Sequence, residues 1–438
     1  MKILMMTNTY KPIVGGLEKS VETFSKEFRK KGHRAVIVTP EYENAEEEKD
    51  VIRVPAFRYS KDANFSVQLP IPGTLMQKLG DFRPDIVHAH HPFLVGGAGL
   101  RTAYKYNVPL VFTHHTLYEQ NTHYLSNIEA LKRFVVELST GYANLADQVF
   151  APSESVMKIL RQRGVRTPIA VVPTGIHVRR FARGNPEKIK NILGIPPDAY
   201  LVGHIGRLAL EKNLKFLARA VAAFLKKRSR AHFLLVGEGP AEEEVKAVFK
   251  KEGLESRLHL AGCLKGQKLI DAYHAIDVFA FTSQSETQGL VLTEAMAAGV
   301  PIVAVDAPGV REVVKDKVNG RMIPSQSLGD FVSALGWMMA RKTPELEKIR
   351  RACRNTAGDF SAQKSAERAL EVYASLKSKN FIRRDSEKDE LWQRMTRMIK
   401  AQWDITKNMA KGAEAMITGE PRKKSKKTKG RLTEILLL

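Results

Sequence analysis

The chain alternates short β-rich runs with longer helical patterns, and it does so twice. In the first half the helical segments separate the runs KILMMTN, AVIVTP, DIVHAH, LVFTHH, QVFAPS and IAVVP. From about residue 200 to 305 the alternation restarts with LVGHIGRL, HFLLVGEG, LHLAGCL, DVFAFTS and PIVAVD. This order predicts parallel βαβ units, and hence an α/β chain with two doubly wound, Rossmann-like domains. Because open sheets of this kind bind ligands outside the carboxyl ends of their strands, a cleft between the two domains is expected.

The length of the chain and one boundary segment predict how it divides into domains. A chain of 438 residues is too long for one core of usual size. The segment PTGIHVRRFARGN, residues 173–185, marks the boundary between the two repeats. We expect a first domain over 1–175, a second over 176–360, a helix over 361–378 that packs back on the first domain, and a C-terminal extension over 379–438.

Composition limits the cellular setting. Apolar residues form 43% of the chain but occur in runs too short to cross a bilayer, and MKILMMTNTY lacks the order of a signal peptide. The two cysteines, Cys263 and Cys353, support neither a disulfide framework nor a zinc cluster. We therefore expect a cytoplasmic protein. The net charge of +23 fits nucleic acid, an anionic membrane surface or phosphorylated substrates, and does not choose among them.

The stretch TSQSETQGLVLTEAMAAGVPIVAVD places two carboxylates, Glu286 and Glu294, in otherwise apolar chain. A strand is predicted to end at about Ser283 and a helix to begin at about Gly289, so Glu286 lies in the loop and Glu294 in the second helical turn. The backbone amides around Gln288, Gly289 and Leu290 then form a candidate anion site. The alternative is that the carboxylates only cap the helix or compensate its dipole.

The same stretch resembles the E-x7-E signature of the retaining glycosyltransferases of family 4, which have two Rossmann-like domains in the GT-B arrangement. The resemblance extends over roughly residues 1–378. Four further segments match family motifs in the same order: KPIVGGLEKSV, VFTHHT, VVPTGIHVRRF and GRLALEKN.

The resemblance implies roles for particular residues. Arg207 and Lys212 match the pair that binds the donor diphosphate, Glu294 the acceptor of hydrogen bonds from the ribose hydroxyls, and Glu286 the carboxylate beside the donor sugar. The donor-binding set further includes Gly15 and Gly16, whose backbone can approach the donor or acceptor, and the loop residues Gln288, Gly289 and Leu290. The family retains anomeric configuration, which implies a front-face reaction assisted by the leaving phosphate.

Histidines follow two of the predicted strands and raise the possibility of a metal site. They are His88, His90, His91, His114 and His115. No Asp or Glu accompanies them in a familiar ligand spacing, so we expect no metal and no cofactor beyond the nucleotide-sugar donor. His115 best matches the family histidine that contacts the donor sugar, although the adjacent His114 leaves the register open by one residue.

Two segments, HAHHPFLVGGAG and THHTLYEQNTHY, resemble the diacylglycerol glucosyltransferases within this family. That resemblance implies transfer of glucose from UDP-glucose to the 3-hydroxyl of diacylglycerol. The acceptor side would be lined by Tyr118, Glu119, His123 and Tyr124, for which ordinary packing of an aromatic loop is the alternative.

A lipid acceptor requires a membrane surface, and two basic regions suit one. Lys26, Arg29, Lys30, Lys31 and Arg34 cluster at the end of the first helix, where each basic group can add about 1 kcal/mol of attraction to an anionic surface. In the extension, Leu391, Trp392, Met395, Met398, Ile399 and Trp403 fall on one helical stripe, followed by PRKKSKKTKGR. We expect peripheral attachment to the inner face of the membrane. The alternative is a stripe packed on the protein and a solvated basic run.

Two other classes of function remain open. One is a family 4 enzyme that uses a UDP- or GDP-sugar with a phosphoinositol, another lipid or a soluble saccharide as acceptor. The other is a non-enzymatic protein that binds polyanions. The intact E-x7-E with Arg207 and Lys212, and the lack of a recognisable nucleic-acid module, disfavour the latter, so no nucleic-acid partner is expected.

Overall fold

A computed structural model describes residues 1–13, 15–42, 45–55, 72–92, 94–117 and 129–378. The chain divides into two compact units. The first comprises Met1–Ala151, Lys158–Ala170 and the described residues from Glu371, and the second comprises Pro152–Met157 and Val171–Leu370. The chain therefore leaves the first unit and re-enters it more than once.

The first unit is built on a seven-stranded sheet. Its strands are β1 (Lys2–Met6), β2 (Arg34–Pro40), β3 (Val51–Val54), β4 (Ile86–Ala89), β5 (Leu110–Thr113), β6 (Gln148–Ala151) and β7 (Ile169–Val171). They lie in the order β3-β2-β1-β4-β5-β6-β7, with parallel pairing from β3 through β6. The central strands are apolar along their length because helices cover both faces of such a sheet.

Helices connect these strands: α1 (Gly16–Lys30), α2 (Pro72–Leu79), α3 (Val95–Tyr106), α4 (Glu129–Leu145) and α5 (Glu154–Gln162). In α1, Val21, Phe24 and Phe28 recur at helical spacing and are buried. This apolar stripe fixes the face of α1 that packs on the sheet.

The second unit repeats the plan on a six-stranded parallel sheet in the order β10-β9-β8-β11-β12-β13. Its strands are β8 (Tyr200–Ile205), β9 (Ala231–Val236), β10 (Leu258–Leu260), β11 (Val278–Phe281), β12 (Ile302–Val305) and β13 (Gly320–Ile323). Its helices are α6 (Pro186–Leu193), α7 (Leu214–Lys226), α8 (Glu242–Lys251), α9 (Gly266–Ala275), α10 (Leu290–Ala297), α11 (Leu328–Met339) and α12 (Thr343–Asp359). Short 3-10 helices lie at Val178–Phe181, Leu210–Lys212 and Glu255–Arg257. The predicted α/β class with two Rossmann-like domains is confirmed.

Three aspartates lock neighbouring strands together at the amino ends of the sheets. Asp85, Asp147 and Asp277 each precede a strand, and their carboxylates accept backbone N–H groups near the start of the adjacent strand at 2.7, 2.8 and 2.7 Å. The register of each sheet is thus fixed at the edge opposite the carboxyl ends, where the loops are left for other roles.

A last helix, α13 (Ala362–Ser378), ends in the first unit. Tyr373 is fully buried there, stacked on Phe150 at 5.8 Å and edge-on to Phe28 at 5.6 Å. Its hydroxyl is 2.6 Å from His88 Nδ1, and Lys377 donates to Asp85 at 2.9 Å. The end of α13 is therefore part of the core of the first unit.

Candidate active site

The second unit changes direction between β8 and β11, which are neighbours at the centre of its sheet. From β8 the chain builds β9 and β10 towards one edge of the sheet, and it then returns to the centre to build β11, β12 and β13 towards the other edge. The loops after β8 and β11 therefore lie side by side at the carboxyl ends of these strands. Directly after β11, the Thr282 hydroxyl donates to the Asn213 carbonyl at 3.1 Å. The structure thus brings together the two loops that carry Arg207, Lys212 and Glu286.

Lys212 and Glu286 form an ion pair across these loops. Lys212 Nζ donates to Glu286 Oε1 at 2.5 Å, and the side chains are only 21% and 17% exposed. Arg207, with 63% of its side chain exposed, donates instead to Glu211 at 2.6 Å. The loops therefore combine a largely buried cation with an exposed one, and Arg207 can offer a phosphate two parallel hydrogen bonds.

Helix α10 begins beside Glu286 with an uncapped N-terminus. Its N-cap residue, Gly289, has φ +72°, supplies no capping side chain, and is followed by no acidic residue in the first turn. The first amides of a helix have no intrahelical acceptor, and they carry the positive end of its dipole. The amides around Gly289 and Leu290 are consequently suited to an anion.

The side chain of Gln288 fastens this helix start to the segment PTGI. Its Nε2 donates to the Thr174 carbonyl at 2.5 Å, and the Thr174 amide donates to its Oε1 at 2.6 Å. Both residues are buried. The Gln288 side chain therefore positions the loop, which leaves its backbone as the part available to a ligand.

Glu294 projects from α10 into a buried contact that the sequence did not reveal. The hydroxyl of Tyr273, from α9, donates to Glu294 Oε2 at 2.8 Å, and Tyr273 has no exposed surface. Burial, and then the charge of Glu294, raises the pKa of Tyr273 well above its ordinary value, so its hydroxyl stays protonated. Tyr273 holds one carboxylate oxygen and so orients Glu294.

Glycines bring the loops of the second unit into backbone contact. A Cβ on Gly237 would lie 1.8 Å from the Gly206 carbonyl oxygen, and one on Gly239 would lie 2.4 Å from that of Leu208. The amide of Leu208 also donates to the Glu238 carbonyl at 2.9 Å. The GEGP segment, which sequence reasoning did not single out as part of the site, thus fixes the position of the loop that carries Arg207.

His204 is a second residue that sequence reasoning missed. It lies near the end of β8, is 1% exposed, and its Nδ1 lies 3.0 Å from the Ala280 carbonyl, to which it can only donate. Its Nε2 is buried without a hydrogen-bond partner among the described residues. Burial lowers the pKa of His204 to about 4, with a smaller effect from Lys212. In the sequence, a histidine inside an apolar strand indicates only a core residue. Its unpaired nitrogen is seen only in the structure.

The first unit has an equivalent switch point between β1 and β4. After β1, the Asn8 amide donates to His91 Nδ1 at 3.1 Å, and the Asn8 side chain accepts from the Val95 amide, at the start of α3, at 3.0 Å. The predicted pair Gly15–Gly16 opens α1. Gly15 is extended at φ −164° and, as a glycine, has no side chain of its own to cap the helix. A Cβ at Gly15 would lie 2.4 Å from Glu18 Oε2, so the Glu18 carboxylate lies over this helix start and glycine makes room for it.

The structure separates the two candidate histidines after β5. His114 is fully buried, with its ring edge-on to Phe112 at 5.8 Å. His115 retains exposed surface, and its Nε2 lies 2.9 Å from His90 Nδ1, with the rings stacked at 5.2 Å. Of the two, only His115 keeps surface exposed to solvent.

The five candidate histidines at the ends of β4 and β5 are neutral at physiological pH. Burial lowers the pKa of His88, His91 and His114 to about 3, and burial together with the neighbouring histidines holds the pKa of His90 and His115 well below the usual range. In the described part of the chain, no group of three or more His, Cys, Asp or Glu side chains is arranged to hold a metal ion. The histidines thus offer hydrogen bonds and not charge.

Several predicted residues lie outside the described ranges. These are Tyr118, Glu119, His123 and Tyr124 of the predicted acceptor side, the stripe from Leu391 to Trp403, and the basic run after it. Over the described residues, no helix combines the length and the apolar character that a membrane span requires.

The basic cluster of α1 is partly neutralised by its own helix. Lys26 pairs with Glu22 at 2.7 Å and Lys30 with Glu27 at 2.5 Å. Arg29 donates to the Ala35 carbonyl at 2.7 Å. The surface is therefore less basic than its sequence suggests.

Comparison with known proteins shows which class of protein the chain resembles. A family model described as Glycosyltransferase Family 4 matches residues 14–180, and one described as Glycosyl transferases group 1 matches residues 185–357. The crystal structure of HepE from Anabaena in complex with UDP-glucose superposes with a TM-score of 0.69 at 22% identity, over 86% of this chain and 100% of that one. Fold and site thus define a glycosyltransferase of the GT-B class.

The chain belongs to glycosyltransferase family 4. It is 27% identical over 400 residues to the alpha-monoglucosyldiacylglycerol synthase of Streptococcus pneumoniae, covering 89% of each chain. It is 26% identical over 367 residues to the GDP-mannose-dependent alpha-mannosyltransferase of Mycobacterium tuberculosis, covering 81% of this chain and 91% of that one. The prediction of a hexose-transferring enzyme of this family is confirmed.

Proposed function

We propose that the protein transfers glucose from UDP-glucose to the 3-hydroxyl of diacylglycerol, with retention of configuration, at an anionic membrane surface. The observation that carries the proposal is the match to the alpha-monoglucosyldiacylglycerol synthase, which extends over 89% of both chains and so includes both units. The HepE complex supports a UDP-sugar donor on the same fold.

The donor site of this proposal lies at the switch point of the second unit. Breaking the bond between the sugar and the diphosphate places negative charge on the leaving oxygen, and fixed cations and amides can stabilise it. Lys212 and Arg207 supply the cations, and the open start of α10 supplies amides. Glu294, oriented by Tyr273, accepts from the ribose hydroxyls, and Glu286 accepts from the sugar.

Retention follows if bond breaking and bond making occur on one face of the sugar. The C1–O bond to the diphosphate breaks, the lipid hydroxyl oxygen bonds to C1 from the same side, and the hydroxyl proton passes to a diphosphate oxygen. His115 contacts the sugar, and Gly15 and Gly16 allow close approach of backbone. No metal is required in this proposal, because protein groups meet the charge of the leaving group.

The membrane part of the proposal requires contact with anionic lipid. Because Lys26 and Lys30 are paired within α1, we expect the extension beyond residue 378 to supply much of the attraction to anionic lipid. Removal of residues 380–438 should lower association with anionic vesicles and leave UDP binding unchanged. Full association of the shortened protein would instead assign membrane contact to the first unit.

The test is transfer of radiolabelled glucose from UDP-glucose into chromatographically identified glucosyldiacylglycerol, on vesicles that contain diacylglycerol and an anionic lipid. Transfer that depends on diacylglycerol and persists in EDTA is expected. Loss of transfer in EDTA would overturn the metal-free mechanism. UDP binding without any transfer would contradict the proposed acceptor or sugar.

Lys212→Met is the matched test of the donor site, with Lys215→Met as control. Lys215 lies on the same segment, but its side chain is 67% exposed and it meets Glu244 only at 3.8 Å. We expect Lys212→Met to lower kcat/KM by about 10²- to 10³-fold, as when a donor to a developing anion is lost. In the Lys215→Met control, kcat/KM should change by less than about twofold. Equal effects would contradict the assignment of Lys212.

A second candidate is supported by the mannosyltransferase relative, which matches at nearly the same identity. GDP-mannose should therefore be assayed beside UDP-glucose with the same vesicles and with phosphoinositol or soluble saccharide acceptors. Turnover of GDP-mannose alone would replace the proposed donor.

A further inference from the structure

His90 and His115 face each other through one nitrogen each, and their protons are therefore coupled. His90 Nδ1 lies 2.9 Å from His115 Nε2, within hydrogen-bond distance. Both rings are neutral, so one of the two facing nitrogens carries the proton and the other accepts it. Which one donates decides where His115 keeps its own proton.

The surroundings of His90 decide between the two arrangements. His90 is fully buried, and its Nε2 has no hydrogen-bond partner among the described residues. If Nε2 carried the proton, a buried N–H group would be left unpaired, which is rarer in proteins than an unpaired acceptor. The proton of His90 therefore belongs on Nδ1, from which it is donated to His115 Nε2.

Neighbouring side chains keep the His90 ring in this orientation. The ring of His88 lies 4.1 Å from it on one side, and that of His115 lies 5.2 Å away. His88 is itself fixed at both nitrogens, 2.6 Å from the Tyr373 hydroxyl and 2.6 Å from the Thr113 hydroxyl. The His90 ring is thus supported by a residue that has no remaining freedom to rotate.

We propose that His90 is a positioning residue, which holds His115 as the neutral tautomer protonated on Nδ1. In this tautomer His115 carries its proton on Nδ1, so that nitrogen is a hydrogen-bond donor and does not act as a base. The proposal deepens the proposed function, since it rests on His115 as the donor-sugar contact.

The direct test is the nitrogen NMR spectrum of the full chain with labelled histidine, recorded without any substrate. His115, assigned by its loss in His115→Gln, should show a protonated Nδ1 and an unprotonated Nε2. The reverse pattern in the wild-type protein would overturn the proposal. This measurement does not depend on which sugar or acceptor the enzyme uses.

Two variants separate orientation from simple packing. His90→Asn keeps an N–H group close to the position of Nδ1 and loses ring volume, whereas His90→Phe keeps the ring and loses the donor. We expect kcat to fall at least about tenfold in His90→Phe and markedly less in His90→Asn, and the single tautomer of His115 to be lost only in His90→Phe. A larger fall in kcat in His90→Asn than in His90→Phe would show that His90 only fills space.

The pair His232–His259 supplies a matched control. Its facing nitrogens are also 2.9 Å apart and its rings also stack at 5.2 Å, but it lies on β9 and β10 in the second unit. His232→Phe should leave donor turnover and the His115 spectrum unchanged. If the wild-type protein did not turn over UDP-glucose, the proposed function would fail while the NMR pattern would still decide the role of His90.

Discussion

Tyr273 determines what Glu294 can present to a ligand. A buried carboxylate is stable only when its oxygens are satisfied, and the Tyr273 hydroxyl satisfies Oε2 at 2.8 Å. The ring of Tyr273 is held in turn by Phe181, edge-on at 5.7 Å, and by Phe279 at 6.2 Å. The orientation of one carboxylate thus depends on an aromatic cluster beneath it.

Replacement of Tyr273 by Phe removes the hydroxyl and keeps the ring contacts. We expect UDP to bind about five- to tenfold more weakly, because the lost hydrogen bond to a carboxylate contributes about 1–1.5 kcal/mol. Tyr142→Phe is the control, since its buried hydroxyl donates to the Gly96 carbonyl at 2.7 Å in the first unit. Isothermal titration calorimetry measures the affinity of both variants for UDP. Equal affinities in the two variants would contradict this role of Tyr273.

At the scale of elements, the sequence predicts both sheets except for one edge strand of each. The apolar runs of the other eleven strands were recognisable, whereas β3 (VIRV) and β13 (GRMI) are short, carry arginine, and were missed. Glu286 and Glu294 could be found because they lie in one local stretch. Tyr273, His204 and the GEGP loop could not, because each alone reads as core or turn and its role depends on contacts with other elements.

Gly309 also makes a contact with another part of the chain that the sequence does not reveal. It has φ +79°, and a Cβ there would lie 2.7 Å from the Gln288 amide nitrogen. We expect Gly309→Ala to lower stability by about 1–3 kcal/mol and to raise KM for the donor, because the start of α10 must shift. The control Gly336→Ala lies within α11, where a Cβ would meet nothing within 4 Å, and should stabilise by up to about 1 kcal/mol. Thermal unfolding and donor kinetics measure both variants, and an unchanged KM in Gly309→Ala would argue against a shift of α10.

At the scale of the whole molecule, the neutral histidines make stability depend on pH. Because burial lowers the pKa of His88, His91 and His114 to about 3, the unfolded chain binds more protons than the folded one between about pH 6.5 and pH 3. Stability must then fall with falling pH, by up to about 1.4 kcal/mol per pH unit for each such histidine. Calorimetry between pH 7 and pH 5 should show a steeply falling Tm with proton uptake, before most carboxylates titrate. A constant Tm over that range would contradict the buried, neutral state of these side chains.

The return of α13 to the first unit has a consequence for synthesis of the chain on the ribosome. His88, Phe28 and Phe150 are made early, but Tyr373, which packs against all three, is made some 220 residues after the end of β6. During that interval the first unit lacks part of its core, while the second unit is being completed. Nascent chains that stop before residue 371 should therefore present this unfinished apolar surface to chaperones, and the first unit should become resistant to protease only after the second.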